Sequence, residues 1–97
     1  MAEKPKHPHA GHRQRGKTEF LARGLDGWPD HRALELLLFY AIPQGDVNGL
    51  AHELIDRFGS LSGVLDASPE ELQKVPGVGE HTAVLLRLIS ALGGRYT

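Results

Sequence analysis

A chain of 97 residues, 40% hydrophobic and 24% charged, specifies one small domain whose modest core must be efficiently packed. It has no cysteine, which excludes a disulfide framework and a thiolate metal site; no apolar run approaches the roughly 18 residues of a membrane span, and the N-terminus lacks the apolar core of a signal peptide, so a soluble cytoplasmic protein is expected. The net charge of −1 conceals an asymmetry: residues 1–27 carry six Lys/Arg against three acids, a net +3, and residues 28–97 carry five against nine, a net −4.

Residues 1–12 are Lys, His, Pro, Ala and Gly with almost nothing to bury, which predicts a disordered tail. Its histidines, His7, His9 and His12, have no carboxylate or thiolate at a matching spacing and read as solvated rather than metal-ligating. Residues 13–27 form a basic arm carrying Arg13, Arg15, Lys17 and Arg23, the part of the chain to which a polyanion is drawn first. A short helix is expected from Arg13 to Arg23, docked through Phe20 and Leu21 and weakened at Gly16 by about 1 kcal/mol relative to alanine.

The domain proper is expected over residues 28–95. Asp30 is a candidate N-cap for a helix in which Ala33, Leu34, Leu36, Leu37, Leu38 and Phe39 are apolar nearly all round, so it is buried on most faces. Trp28 and Tyr40 are read as packing residues. Pro43 and Gly45 break the chain, and Asp46 can cap the next helix. In that helix Val47, Leu50, Ala51, Leu54, Ile55 and Phe58 fall on one stripe, closed by Gly59 in the position of a left-handed C-terminal residue. Ser60 caps a short helix with Leu61, Val64 and Leu65 inward. Ser68-Pro69-Glu70-Glu71 places a Ser cap, a Pro at the first helical position and a Glu three residues on, starting another short helix that Pro76 ends. The last helix runs from Glu80 to about Leu92 and is expected to stop at Gly93-Gly94. No segment alternates with period two, so the fold class is all-α with five main helices.

The stretch LQKVPGVGEHTAVLL, Leu72 to Leu86, carries the chemistry. One helix ends, Pro76-Gly77-Val78-Gly79 turns the chain, and a second helix starts at once. Gly77 and Gly79 are read as allowing positive φ and removing side chains from the path of an approaching backbone, Val78 as an apolar plug, and Ala83 as the small residue that lets two helices cross closely. The first N–H groups of the second helix have no partner within it, and with the helix dipole they form an anion site suited to a phosphate. Candidate contacts are Gly77, Val78, Gly79, His81, Thr82 and Lys74. Contacts of this type position nucleic acid without reading its sequence. Glu80 works against the site: it suits the helix dipole but repels phosphate.

VPGVGEHTA resembles the hairpin of the helix–hairpin–helix family of DNA repair and recombination proteins. IPQGDVNGLAHELIDRFG, Ile42 to Gly59, is similar to a degenerate first copy, eight residues from Pro43 to Ala51 against seven from Pro76 to Ala83. Two such units joined by the Ser60–Asp66 helix would make a compact five-helix tandem form preceded by the basic arm. The first hairpin, Gln44-Gly45-Asp46, lacks the second glycine and is read as structural. Across Gly11 to Arg95, through GHRQR at Gly11–Arg15 and the long run Asp30–Ile89, the chain resembles the N-terminal domain of RadC-type DNA repair proteins. The resemblance implies a repair-type DNA-binding domain. It also implies that members continue into a metal-binding JAB/MPN-type domain, whose histidine-rich zinc motif these residues do not contain. The chain is then a piece of a longer protein or a short relative.

No arrangement for catalysis stands out: there is no Walker-type phosphate loop or nucleophile elbow, and His52-Glu53 does not continue to HExxH because residue 56 is Asp. No cofactor is expected. The favoured function is non-catalytic, weak, sequence-independent binding of DNA by the Gly77–Gly79 hairpin, helped by the basic arm. The alternative is a protein-interaction domain that binds no DNA, contacting a second copy of itself or a C-terminal metal-binding domain.

Overall fold

The computed structural model describes residues 8–96, and residues 1–7 of the expected tail lie outside that range. Six helices run in order: α1 (Pro8–Arg23), α2 (Asp30–Ala41), α3 (Asn48–Phe58), α4 (Leu61–Asp66), α5 (Pro69–Gln73) and α6 (Glu80–Tyr96), with no strand among the described residues. The last five are the tandem form: α2 and α3 flank the first hairpin, α4 connects, and α5 and α6 flank the second. α2 packs on α3, α3 on α4, and α6 across α4, α5 and α2. No helix of the described residues is long and apolar enough to cross a membrane.

Local chemistry explains most boundaries. The Ser60 hydroxyl accepts from Gly63 N–H at 3.0 Å and that of Ser68 from Glu71 N–H at 3.1 Å, so each short helix begins with one amide satisfied by its cap. Gly59 closes α3 in the left-handed conformation, its N–H donating to the Ile55 carbonyl at 2.7 Å. Asp30, expected as an N-cap, is instead the first residue of α2; the cap position is Pro29, which makes no side-chain bond, and Asp30 contributes through its charge in the first turn. The apolar stripe of α3 faces inward, with Val47, Ala51 and Leu54 buried against Leu34, Leu38 and Phe39 of α2 and Val64 of α4. From the second half Leu72, Val75, Val78, Ala83 and Leu86 complete the same core.

Two expectations about helix ends are corrected. Residues 8–12, assigned to the tail, form the first turns of α1. At the other end α6 continues through Gly93 and Gly94 to Tyr96. Neither glycine takes a positive φ there, so no left-handed stop forms, and the cost is only the weak helix propensity of glycine, about 1 kcal/mol each.

The docking of α1 also differs. Phe20 and Leu21 remain exposed. α1 packs on α2 through buried Gly16, where a Cβ would stand 3.6 Å from the Phe39 ring, an ordinary contact, so packing there does not itself demand glycine. Polar contacts finish the joint. His12 Nε2 lies 3.1 Å from an oxygen of Glu35, a carboxylate only 2% exposed, and Arg32 of α2 grips Glu19 of α1 with both guanidinium ends while lying 4.1 Å over Trp28. The hydrogen bond from Arg32, followed by its charge and that of Arg23, holds the Glu19 carboxyl below the usual glutamate value. Glu35 is thus an acid held inside the fold rather than on a solvated helix face.

Candidate nucleic-acid interface

The second hairpin is a tight series of reversals. After α5 the N–H of Val75 donates to the Leu72 carbonyl, and that of Val78 to the Val75 carbonyl at 3.0 Å. Gly77 takes φ +96°, a conformation costly for any residue with a Cβ, and lies against Leu50 in the first turn of α3. Val78 is buried and anchors the hairpin from beneath. Gly79 precedes α6 with an ordinary φ, and a Cβ there would meet nothing within 4 Å. The two glycines, expected to share one role, therefore differ: conformation requires Gly77, whereas neither conformation nor packing requires Gly79.

The amides divide in the same way. The first helical bond of α6 runs from Ala83 N–H to the Gly79 carbonyl. The N–H groups of Gly77, Gly79, Glu80, His81 and Thr82 donate to no acceptor among the described residues. Val78, expected among the contacts, spends its amide inside the turn.

The first hairpin provides an internal comparison. Gly45, at φ +91°, stands six residues before buried Ala51, as Gly77 stands six before buried Ala83. On that register the unequal spacing from the prolines vanishes, Val47 corresponds to Gly79, and Asn48 corresponds to Glu80, each the first residue of its helix. Asp46 corresponds to Val78. The Asp46 carboxylate accepts from Asn48 N–H at 2.8 Å, so the amide at this position is already engaged by an anion of the protein itself. In the second hairpin the corresponding side chain is an apolar valine, and the Glu80 amide has no acceptor among the described residues. The two hairpins are neighbours, since Leu50 of α3 touches Gly77.

The other expected contacts separate into reachable and unreachable. Lys74, at the end of α5, and His81, in the first turn of α6, are exposed beside the hairpin. Thr82 is 3% exposed and can offer little beyond its backbone. Of the basic arm, Arg15 and Arg23 are exposed. Arg13 is committed elsewhere: Nη1 donates to the Phe39 carbonyl at 3.0 Å, Nη2 to the Gly45 carbonyl at 2.7 Å, and the guanidinium lies 4.7 Å over the Phe39 ring. It ties α1 to the end of α2 and to the first hairpin. Lys17 sits 5.2 Å over the ring of Tyr40, which is exposed rather than packed as expected. Charge alone assigns Arg13 to the binding surface; its true partners are carbonyls, which leave no mark in the sequence. Asp46, expected as the cap of α3, instead lies one residue ahead of the cap position, Val47, and its role in closing the first anion position emerges only from the shared register of the two hairpins.

These features agree with what the chain is similar to. The helix–hairpin–helix motif matches residues 60–86, spanning α4, α5, the second hairpin and the first turns of α6. A UPF0758 protein of Fusobacterium nucleatum is 38% identical over 92 residues, covering 95% of this chain and 38% of the relative. UPF0758 proteins of Rhodobacter capsulatus and Ruegeria pomeroyi are 43% and 42% identical over 79 and 84 residues, covering 81% and 87% of this chain and 37% and 38% of the relatives. The chain thus spans less than two-fifths of the length of these relatives. No solved structure matches it significantly. With its tandem architecture, its second hairpin and this similarity over most of its length, the chain is a helix–hairpin–helix domain of the RadC type.

Proposed function

We propose that this domain binds DNA without sequence preference and without catalysing a reaction, in a cytoplasmic repair-type protein, by taking a backbone phosphate on the amides around Gly79. The observation that carries the reading is the contrast between the hairpins. At the first, a carboxylate of the chain engages the leading amide; at the second, the same amide is left without an acceptor behind a glycine that has no structural need to be one. An external phosphate oxygen replaces at the second hairpin what Asp46 supplies at the first. The dipole of the 17-residue α6 adds to the attraction. Lys74, exposed at the end of α5 just ahead of the hairpin, supplies a charged contact, and Arg15, Lys17 and Arg23 give the arm side of the domain a positive surface. Arg13 plays no direct part.

The body is acidic and Glu80 lies at the site, so the affinity is low. With two phosphates neutralised, one by Lys74 and one by an arginine of the arm, log affinity falls with log salt at a slope of about −1.8, so a fourfold rise in salt weakens binding roughly twelvefold. Titrating a labelled duplex at low salt, then repeating with an unrelated sequence and at higher salt, tests the reading. Equal, salt-sensitive binding of both duplexes supports it. Absence of binding at low salt, or binding insensitive to salt, rejects it.

A further inference from the structure

One face of α6 is not used by the fold. Thr82, Ala83 and Leu86 face the core, whereas Val84, Leu88 and Leu92 on another face are 57%, 47% and 53% exposed, with exposed Tyr96 one step further along the same i, i+4 ridge. Large apolar side chains scattered singly need no explanation, but four in register along one helix form a continuous strip. The strip is also asymmetric in charge. Glu80 and His81 lie at its N-terminal end and Arg95 at its C-terminal end, and none of these three side chains makes a hydrogen bond or ion pair among the described residues.

We propose that this strip is a self-pairing surface, on which a second copy of the chain lays its own α6 in antiparallel orientation. An acid at one end and a base at the other complement themselves only when two identical strips run in opposite directions, which is the condition for a closed two-fold interface. With Leu88 facing Leu88, Val84 faces Leu92 of the second copy, and Arg95 reaches Glu80 and His81 of the second copy at both ends. The pairing also sets the helix dipoles antiparallel. A parallel pair would bring like charges together at each end. A single-helix seam is smaller than the roughly 1,600 Å² of a standard interface, so the dimer is weak and forms with rising concentration. Pairing brings a guanidinium beside Glu80 at each hairpin, but the dimer itself does not depend on whether DNA binds there.

Sedimentation equilibrium of the 97-residue chain over a wide concentration range is the test, with circular dichroism to confirm folding. The wild type should show a monomer–dimer equilibrium, and Leu88→Glu should weaken it by about tenfold or more. Arg95→Glu, on exposed surface where unfolding is not at issue, should weaken it roughly threefold, and Glu80→Arg combined with Arg95→Glu should restore it. A wild type that stays monomeric at its highest concentration overturns the proposal. So does Leu88→Glu that associates like the wild type, or a double charge swap no better than the single one.

Discussion

Replacing Gly77 and Gly79 separately by alanine distinguishes a glycine kept for shape from one kept for a ligand. At Gly77 the backbone has φ +96°, and forcing a Cβ into that region costs about 1–2 kcal/mol. The new methyl would meet Leu50 at 3.7 Å, an ordinary contact, so no clash adds to the strain. For a domain of this size that cost lowers the melting temperature by roughly 5–15 °C. At Gly79 φ is ordinary and the space is open, so alanine incurs neither penalty. The stiffer unfolded chain favours Gly79→Ala by about 0.4–1 kcal/mol, and the poorer residue ahead of α6 offsets this by a similar amount. Its stability should therefore match that of the wild type to within about 0.5 kcal/mol. Its DNA affinity should not: the methyl stands where the phosphate approaches the amides, and losing that contact weakens binding by about tenfold, while the salt slope, set by the cationic side chains, stays near that of the wild type. Thermal unfolding observed by circular dichroism and anisotropy titration at two salt concentrations give the four quantities needed. A stable Gly79→Ala variant that binds duplex as well as the wild type would refute the phosphate site. A Gly79→Ala variant as unstable as Gly77→Ala would refute the division of roles.

Three further outcomes are expected. Arg13→Ala removes two charge-assisted bonds to carbonyls and the contact over Phe39; it should cost about 2 kcal/mol in denaturant unfolding, and Arg13→Lys should recover little because an ammonium cannot bridge both carbonyls. Glu80→Lys changes the charge at the hairpin by two units, each worth about 0.7 kcal/mol at ~6 Å in water before screening, so duplex affinity at low salt should rise roughly three- to tenfold while α6 loses about 0.3–1 kcal/mol of dipole stabilisation. Because the folded-state value of Glu19 is depressed, its pairing with Arg32 stabilises the fold above the ordinary value near 4.5 and loses that effect as pH falls through the depressed value. The melting temperature of the wild type should therefore exceed that of Glu19→Gln at neutral pH, with the gap closing in acid; a constant gap would show that the pair does not titrate as described.

Much of this protein is set by interactions that span four residues or fewer. The stripe Val47 to Phe58, the serine caps at Ser60 and Ser68, the left-handed Gly59 and the turn at Pro76-Gly77 are local, and a sequence displays local chemistry directly. The helix–hairpin–helix and its tandem character were legible for the same reason. Helix ends without a specific stop were not. Gly93 and Gly94 carry no conformation that ends a helix, and residues 8–12 extend α1 rather than lying loose.

Tertiary structure alone decided how the polar residues are spent. Arg13 meets carbonyls 26 and 32 residues away, and His12 meets Glu35 across 23 residues. Backbone acceptors are present at every position, so composition cannot reveal which arginine will be used internally and which left for a phosphate. The register of the two hairpins was hidden for a related reason. The prolines suggest unequal repeats, but the shared unit is the left-handed glycine six residues before a buried alanine, and only backbone dihedrals identify it. Glycine looks alike in a sequence whether strain or open space calls for it. The distinction between Gly77 and Gly79, on which the reading of the site turns, exists only once the chain has folded and the space around each is defined.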